Sequence, residues 1–403
     1  MKSKNEFSYE ELLYYNEMKK REKKNLLWNN YEYLISDKKI QYNSDEINII
    51  KNLLYNPMPE NYRNKFWVII SGARLSMFNN KNYYKNLLLT IPENFLYEQS
   101  ITLDLNRTYP EFEYFHDPSN LQKLKNILMA FSLRNSTIGY CQGFNFIVGK
   151  LLIIIDNEEE VFWVFTNIIE NYLPSDFYIN FFGVKNDIEI VKKIIMLTLP
   201  YVKGENFEFL LKNLITKCFI SLFSQNIRGE ILDIIWDSFF VYGNIILYKT
   251  FIYIVYSLFK DEMKKKSLET LYNKITESIA DLNDPYSLNY FLFIYNRINQ
   301  NYIDIHRNKI TQKQLKFESL IKNNIQHDIK CDKNLPYCRC YIENQNSEDF
   351  RYYIIYRINK KPKIIENYFF NVNKNDNLKQ NILKKEEISL DDLLIERHKH
   401  ICN

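Results

Sequence analysis

Hydrophobic positions recur at helical spacing along most of the chain. In NSDEINIIKNLLYN, Ile47, Ile50, Leu53 and Leu54 share one helical face, with Ser44 as the expected N-cap. PMPENYRNKFW, from Pro57 to Trp67, breaks the chain and restarts a helix that Asn61 is expected to cap. Ile101 to Pro110 reads as a polar break holding a short helical turn. Asn120 to Arg134 predicts an amphipathic helix with Leu121, Leu124, Ile127, Leu128 and Phe131 on one face. FNFIVGKLLIII, Phe144 to Ile155, is apolar on every side and predicts a buried helix. Glu158 to Tyr172 predicts another, with acids in its first turn, where the helix dipole favours them. Further helices are expected over Asn186–Leu199, Phe207–Ser224, Arg228–Phe240 and Ile245–Phe259, then over SLETLYNKI and over DPYSLNYFLFIYNRI, which ends at Ile298.

Beyond about Gln300 the pattern changes. IKNNIQHDIKCDKNLPYCRC is polar and broken. FRYYIIYRINKKPKIIENYFFNVN sets β-forming residues around a Lys-Lys-Pro break and predicts a hairpin. ISLDDLLIERHKHICN predicts one short helix capped by Ser389. The expected organisation is a helical extension over residues 1–50, a main domain over 51–300, and a mixed or loosely ordered extension over 301–403.

Composition sharpens the fold class. With 8 glycines and 10 prolines in 403 residues, breakers are scarce, which favours an all-α protein of many helices. The net charge of +4 and the lack of a basic stripe argue against nucleic-acid binding. The one dense basic run, EMKKREKK from Glu17 to Lys24, includes two glutamates and reads as a solvated helix face, with a weak membrane-surface contact as the alternative. The most apolar stretch, Ile234 to Phe259, is interrupted by Asp237, Asn244 and Lys249, so it reads as a pair of core helices rather than a membrane span. The N-terminus has no apolar signal-peptide core, and the six cysteines are expected to be reduced thiols in the cytosol.

The usual phosphate-loop, dinucleotide, zinc-protease and nucleophile-elbow motifs do not occur. Two small constellations carry chemistry instead. In ITLDLNRTYPEF, Asp104 and Arg107 are spaced i, i+3, so a helical turn sets the carboxylate beside the guanidinium and fixes its direction. Alone, this is a surface pair worth about 0–1 kcal/mol. In IGYCQGFNF, Gln142 stands at the mouth of the buried helix with an amide that offers one acceptor and two donors. Alone, it is a surface glutamine. Together they are the side chains that phosphoryl transfer to water uses: an arginine for developing charge and a glutamine to orient the attacking water. Without a phosphate loop of its own, the chain would meet its nucleotide on a partner.

The motifs and their order resemble the TBC-domain family, GTPase-activating proteins for Rab GTPases. RNKFW, Arg63 to Trp67, fits R-x-x-x-W; ITLDLNR fits I-x-x-D-x-x-R; GYCQGFN contains Y-x-Q; EEEVFWVF and IIWDSFFVYG resemble two later helical segments. The resemblance covers roughly Lys51 to Ile298. It implies that Arg107 is an arginine finger and that Gln142 is a glutamine finger supplied in trans. It further implies that Asp104 orients Arg107 or meets the partner, that Tyr140 packs beneath the finger or touches the partner, and that Asn145 bonds the turn carrying Gln142. Gly143 is expected to leave room for the partner's phosphates, and Arg63 and Trp67 to brace the fold, with Trp236 and Asp237 architectural. Phe144 replaces the usual methionine, and Cys218 stands where tryptophan is usual.

The function so implied is stimulation of GTP hydrolysis by a GTP-bound Rab, in the regulation of vesicle traffic. The protein is expected to act as an activator rather than an enzyme, with no cofactor of its own, because GTP and Mg²⁺ belong to the partner. Its expected location is the cytoplasm, peripherally on endomembranes through the lipid-anchored Rab. The alternative is a catalytically silent scaffold or effector that binds Rab-GTP. A separate question is whether Cys331, Cys338, Cys340, His398, His400 and Cys402 form a zinc site; C-x6-C-x-C is not a familiar ligand spacing, and ordinary thiols and surface histidines are expected.

Overall fold

Helices make up the regular structure among the described residues of the computed structural model, which are 27–179, 182–198, 205–259, 279, 282, 285–294 and 298–324. The α-helices are α1 (Ser44–Leu53), α2 (Glu60–Ile70), α3 (Ala73–Asn79), α4 (Tyr83–Leu89), α5 (Glu98–Leu105), α6 (Pro118–Arg134), α7 (Phe144–Ile154) and α8 (Glu158–Asn167). They continue as α9 (Phe182–Thr198), α10 (Glu205–Ile220), α11 (Gly229–Tyr242), α12 (Ile245–Phe259), α13 (Pro285–Ile294) and α14 (Gln300–Asn324). No strand occurs among these residues. The chain divides into two compact units that part between Ile303 and Asp304.

In the first unit α7 occupies the interior. It packs on α5, α6 and α8, while α11 packs on α1, α2, α12 and α13. Burial explains why α7 has no polar face: nine of its residues, Phe144 to Leu152, are buried. Phe144 closes its N-terminal end in an aromatic cluster, with ring centroids 4.7 Å from Tyr178, 5.2 Å from Phe165 and 5.7 Å from Phe131. Edge-to-face rings at such distances add specificity to the area they bury.

A buried ionic cluster ties α2, α7 and α11 together. Arg63 donates to Asp237 at 3.0 Å, to Asp233 at 3.3 Å and to the Met58 carbonyl at 3.1 Å. Trp67 donates its indole N–H to Asp237 at 2.8 Å, and Lys150 reaches Asp233 at 2.5 Å. Two cations thus face two carboxylates, and the cluster is neutral. Burial works against the Arg63 charge, but Asp237 and Asp233 outweigh it and hold its pKa above the usual value. Arg63 and Trp67 are thus tied to α11, and the cluster reaches α7, the helix that follows Gly143, through Lys150 and Asp233.

Several local expectations change. Asn43, not Ser44, caps α1: its side chain accepts from the Glu46 N–H while Glu46 accepts from the Asn43 N–H, a reciprocal capping box. Asn61 caps nothing, because α2 starts at Glu60 after Pro59 without a side-chain cap. The polar break at Ile101 is the second half of α5, whose buried residues are only Ile101 and Asp104. The helix expected over Glu158–Tyr172 ends as α8 at Asn167 and widens into a π-turn over Ile168–Tyr172. The helix expected to reach Ser224 stops at Ile220, because Leu222 and Phe223 take positive φ of 49° and 66°. Ile234 to Phe259 does form a helix pair, α11 and α12, broken at Gly243 and Asn244, and no helix among the described residues is long and apolar enough to cross a membrane. Past Gln300, where the start of a mixed or loosely ordered extension and no helix was expected, the chain forms the 25-residue α14, opened by the Asn299 side chain accepting the Tyr302 N–H at 2.8 Å. The basic run at Glu17, the helix over SLETLYNKI, the hairpin after Phe350 and the tail helix after Ser389 all lie outside the described residues.

Candidate functional site

Arg107 and Gln142 stand on two turns that meet over the N-terminal end of α7. Arg107 lies just past the C-terminal end of α5, with its side chain 48% exposed. Asp104, in the last turn of α5, is buried, and one of its carboxylate oxygens pairs with Arg107. Its other oxygen accepts the Tyr140 hydroxyl at 2.5 Å. One carboxylate therefore holds the guanidinium on one side and the strand of chain leading to Gln142 on the other. Burial first, and the bond to Asp104 second, raise the Tyr140 phenol far above its usual range, so it is a neutral donor at every working pH. Leu103, on α5 four residues before Arg107, is 68% exposed.

Gln142 itself is exposed, between buried Cys141 and buried Gly143. Burial pushes the Cys141 thiol up to about 12, which keeps it protonated and unreactive beside the glutamine. Gly143 adopts φ +110°, a left-handed conformation that strains any other residue, and an added Cβ would lie 2.9 Å from the Ile220 side chain. Internal packing and backbone hand thus already demand glycine here, whatever room it also leaves for a partner's phosphates. Gly143→Ala is expected to destabilise the protein by about 1–3 kcal/mol, read as a lower urea midpoint at unchanged slope.

Asn145, fully buried in the first turn of α7, accepts the Gly143 N–H on Oδ1 at 3.2 Å. It fixes the turn that carries Gln142 from below. Its Nδ2 donates to Thr108 Oγ1 at 2.8 Å, and the Thr108 hydroxyl donates to the Asp104 carbonyl at 2.7 Å. Thr108 was not visible as a site residue from the sequence, where it looks like one more polar residue of a loop. The chain then passes through Tyr109, buried at φ +48°, whose hydroxyl lies 2.7 Å from the Ser224 carbonyl and 3.0 Å from that of Phe146. The Arg228 guanidinium sits 4.5 Å over its ring. Arg107 is therefore followed by a pinned segment, not a free loop.

The two positions that depart from the usual family residues are both buried. Phe144 is fully enclosed in the aromatic cluster. Cys218 is also fully buried, and burial pushes its thiol up to about 12. The six residues considered for a zinc site lie outside the described residues, among which no group of three or more possible ligands gathers.

The family model described as "Rab-GTPase-TBC domain" matches residues 60–264, half of the chain, and the chain belongs to the RabGAP-TBC family. It is 34% identical over 205 residues to the human "Growth hormone-regulated TBC protein 1", covering 50% of this chain and 61% of that protein. It is 33% identical over 207 residues to "Growth hormone-regulated TBC protein 1-A" of Danio rerio, covering 50% of this chain and 57% of that one. The match thus spans less than two thirds of the length of these relatives. Among solved structures, a Chlamydomonas flagellar RabGAP TBC domain shares the fold, with a TM-score of 0.58 and 23% identity over 68% of this chain and 95% of that one.

Proposed function

We propose that the chain stimulates GTP hydrolysis by a Rab-family small GTPase, inserting Arg107 and Gln142 into the partner's nucleotide site and so regulating vesicle traffic. The observation that carries this reading is the Asp104 carboxylate, which binds the half-exposed Arg107 and the Tyr140 hydroxyl two residues before exposed Gln142. An exposed guanidinium and an exposed amide thereby stand on turns linked through Asp104 and Tyr140. Arg107 would neutralise the charge developing on the transferred phosphoryl group, and Gln142 would orient the attacking water.

GTP and Mg²⁺ are the partner's in this mechanism, and the working domain is taken as residues 51–300. The partner's lipid anchor would bring a cytoplasmic protein to the surface of endomembranes. The test is single-turnover hydrolysis across a complete panel of GTP-loaded Rab proteins from the host. Acceleration of one or a few is expected, cut by about 10²-fold in Gln142→Ala. If none responds but one still binds in its GTP form, the chain is a silent scaffold or effector and the catalytic reading fails.

A further inference from the structure

We infer that Thr108 is a positioning residue that locks the Arg107 turn to the Gln142 turn, an inference that rests on the function just proposed. Thr108 is 1% exposed and follows Arg107 directly. Its hydroxyl uses both of its roles: it donates to the Asp104 carbonyl at 2.7 Å and accepts from Asn145 Nδ2 at 2.8 Å. Asn145 passes the link on by accepting the Gly143 N–H at 3.2 Å. The path from one finger to the other is Arg107, Thr108, Asn145, Gly143, Gln142, with each step a peptide bond or a hydrogen bond inside the protein. It is independent of the second link, through Tyr140 and the Asp104 side chain.

The methyl of Thr108 has a separate task. It lies 2.9 Å from where a Cβ on Gly149 would stand, so α7 approaches this turn at a distance only glycine permits. Hydroxyl and methyl thus reach the same helix by different means, and single substitutions separate them. Valine keeps the shape and removes the hydroxyl. Serine keeps the hydroxyl and removes the methyl. With valine, Asn145 Nδ2 is left with the Asp104 carbonyl at 3.5 Å, which is the outer limit of a hydrogen bond. A buried amide short of a partner costs free energy, and Asn145 relieves it by turning away from Gly143. The Gln142 turn then loosens, while the outer surface keeps its composition.

Thr108→Val is expected to lower the stimulated kcat by about 10- to 100-fold, because small displacements of catalytic groups carry losses of that order. KM for the GTPase stays at the wild-type value, and Thr108→Ser returns kcat close to wild type. A second readout needs no partner: amide hydrogen exchange at residues 138–147 is faster in Thr108→Val and normal in Thr108→Ser. Unchanged exchange in the valine variant overturns the inference. So does wild-type kcat in that variant, or an equal loss with valine and serine, which would mean that any change at this position, and not loss of the hydroxyl in particular, is the cause. If Thr108→Val does not fold, Thr108→Ala, which also lacks the hydroxyl, is read on the same two measurements. If the wild-type chain accelerates no GTPase, the proposed function fails, and the exchange comparison still decides whether Thr108 joins the two turns.

Discussion

Replacing Arg107 by alanine is expected to reduce the maximal rate of stimulated GTP hydrolysis by about 10³–10⁵, the range over which an arginine finger acts. The loss should fall on kcat, with KM little changed, because a guanidinium engaged only as charge develops contributes to the transition state and not to ground-state binding. The fold should be untouched. Arg107 is half exposed, and its ion-pair partner among the described residues is Asp104 alone. The exposure of Arg107 keeps the pair's contribution small, and buried Asp104 keeps the Tyr140 hydroxyl as a partner when the guanidinium is removed. Arg107→Lys should recover little, since an ammonium lacks the planar fork that spans two phosphate oxygens. A loss of less than about tenfold in single-turnover hydrolysis at saturating GTP-loaded Rab would remove Arg107 from the finger role.

The largest effect on stability is expected at Asp237. Its carboxylate, 1% exposed, takes the Arg63 Nε–H at 3.0 Å and the Trp67 indole N–H at 2.8 Å. Asp237→Ala strands both donors. Arg63 keeps only the longer contact to Asp233 and the Met58 carbonyl, and its charge stays in the interior. Breaking one side of a buried ion pair costs about 3–5 kcal/mol, far more than the intact pair contributes over an apolar substitute. Asp237→Asn keeps an acceptor for Trp67 and should lose less. Urea denaturation measures both; a loss below about 1 kcal/mol for the alanine variant would mean that water reaches Arg63 and replaces the carboxylate.

How much of this was legible in the chain depends on what each residue does. The run after Gly143 read correctly as a buried helix because all of its faces meet protein, and composition alone records that. Arg107 and Gln142 were legible through two short motifs in the right order, not through periodicity. α5 was hidden because only Ile101 and Asp104 of its eight residues are buried, which leaves no apolar stripe. The turn after Ile220 was hidden for the opposite reason: Leu222 and Phe223 continue an apolar pattern while the backbone reverses hand. α14 was missed because its residues are largely polar, so the one cue was Asn299 at its start. Thr108 and Asn145 act across 37 positions of sequence, and no local spacing reveals a hydrogen bond between them. Gly143 was legible as important, but its neighbour Ile220 on α10 was not, because the contact joins distant parts of the chain.

The ionic cluster also sets an order of events during synthesis. Arg63 and Asp237 are 174 residues apart. At about 5–20 residues per second, roughly 9–35 s separate the appearance of the guanidinium from that of its carboxylate. Over that interval α2 carries a charge it cannot bury, joined for about its second half by Lys150 on α7. The helices around Arg107 and Gln142 are complete by then, yet the interior that supports them cannot close. The nascent chain must hold an open, apolar intermediate until α11 leaves the ribosome, so its yield in the cell should depend on chaperones that shield such surfaces rather than on how quickly the individual helices form.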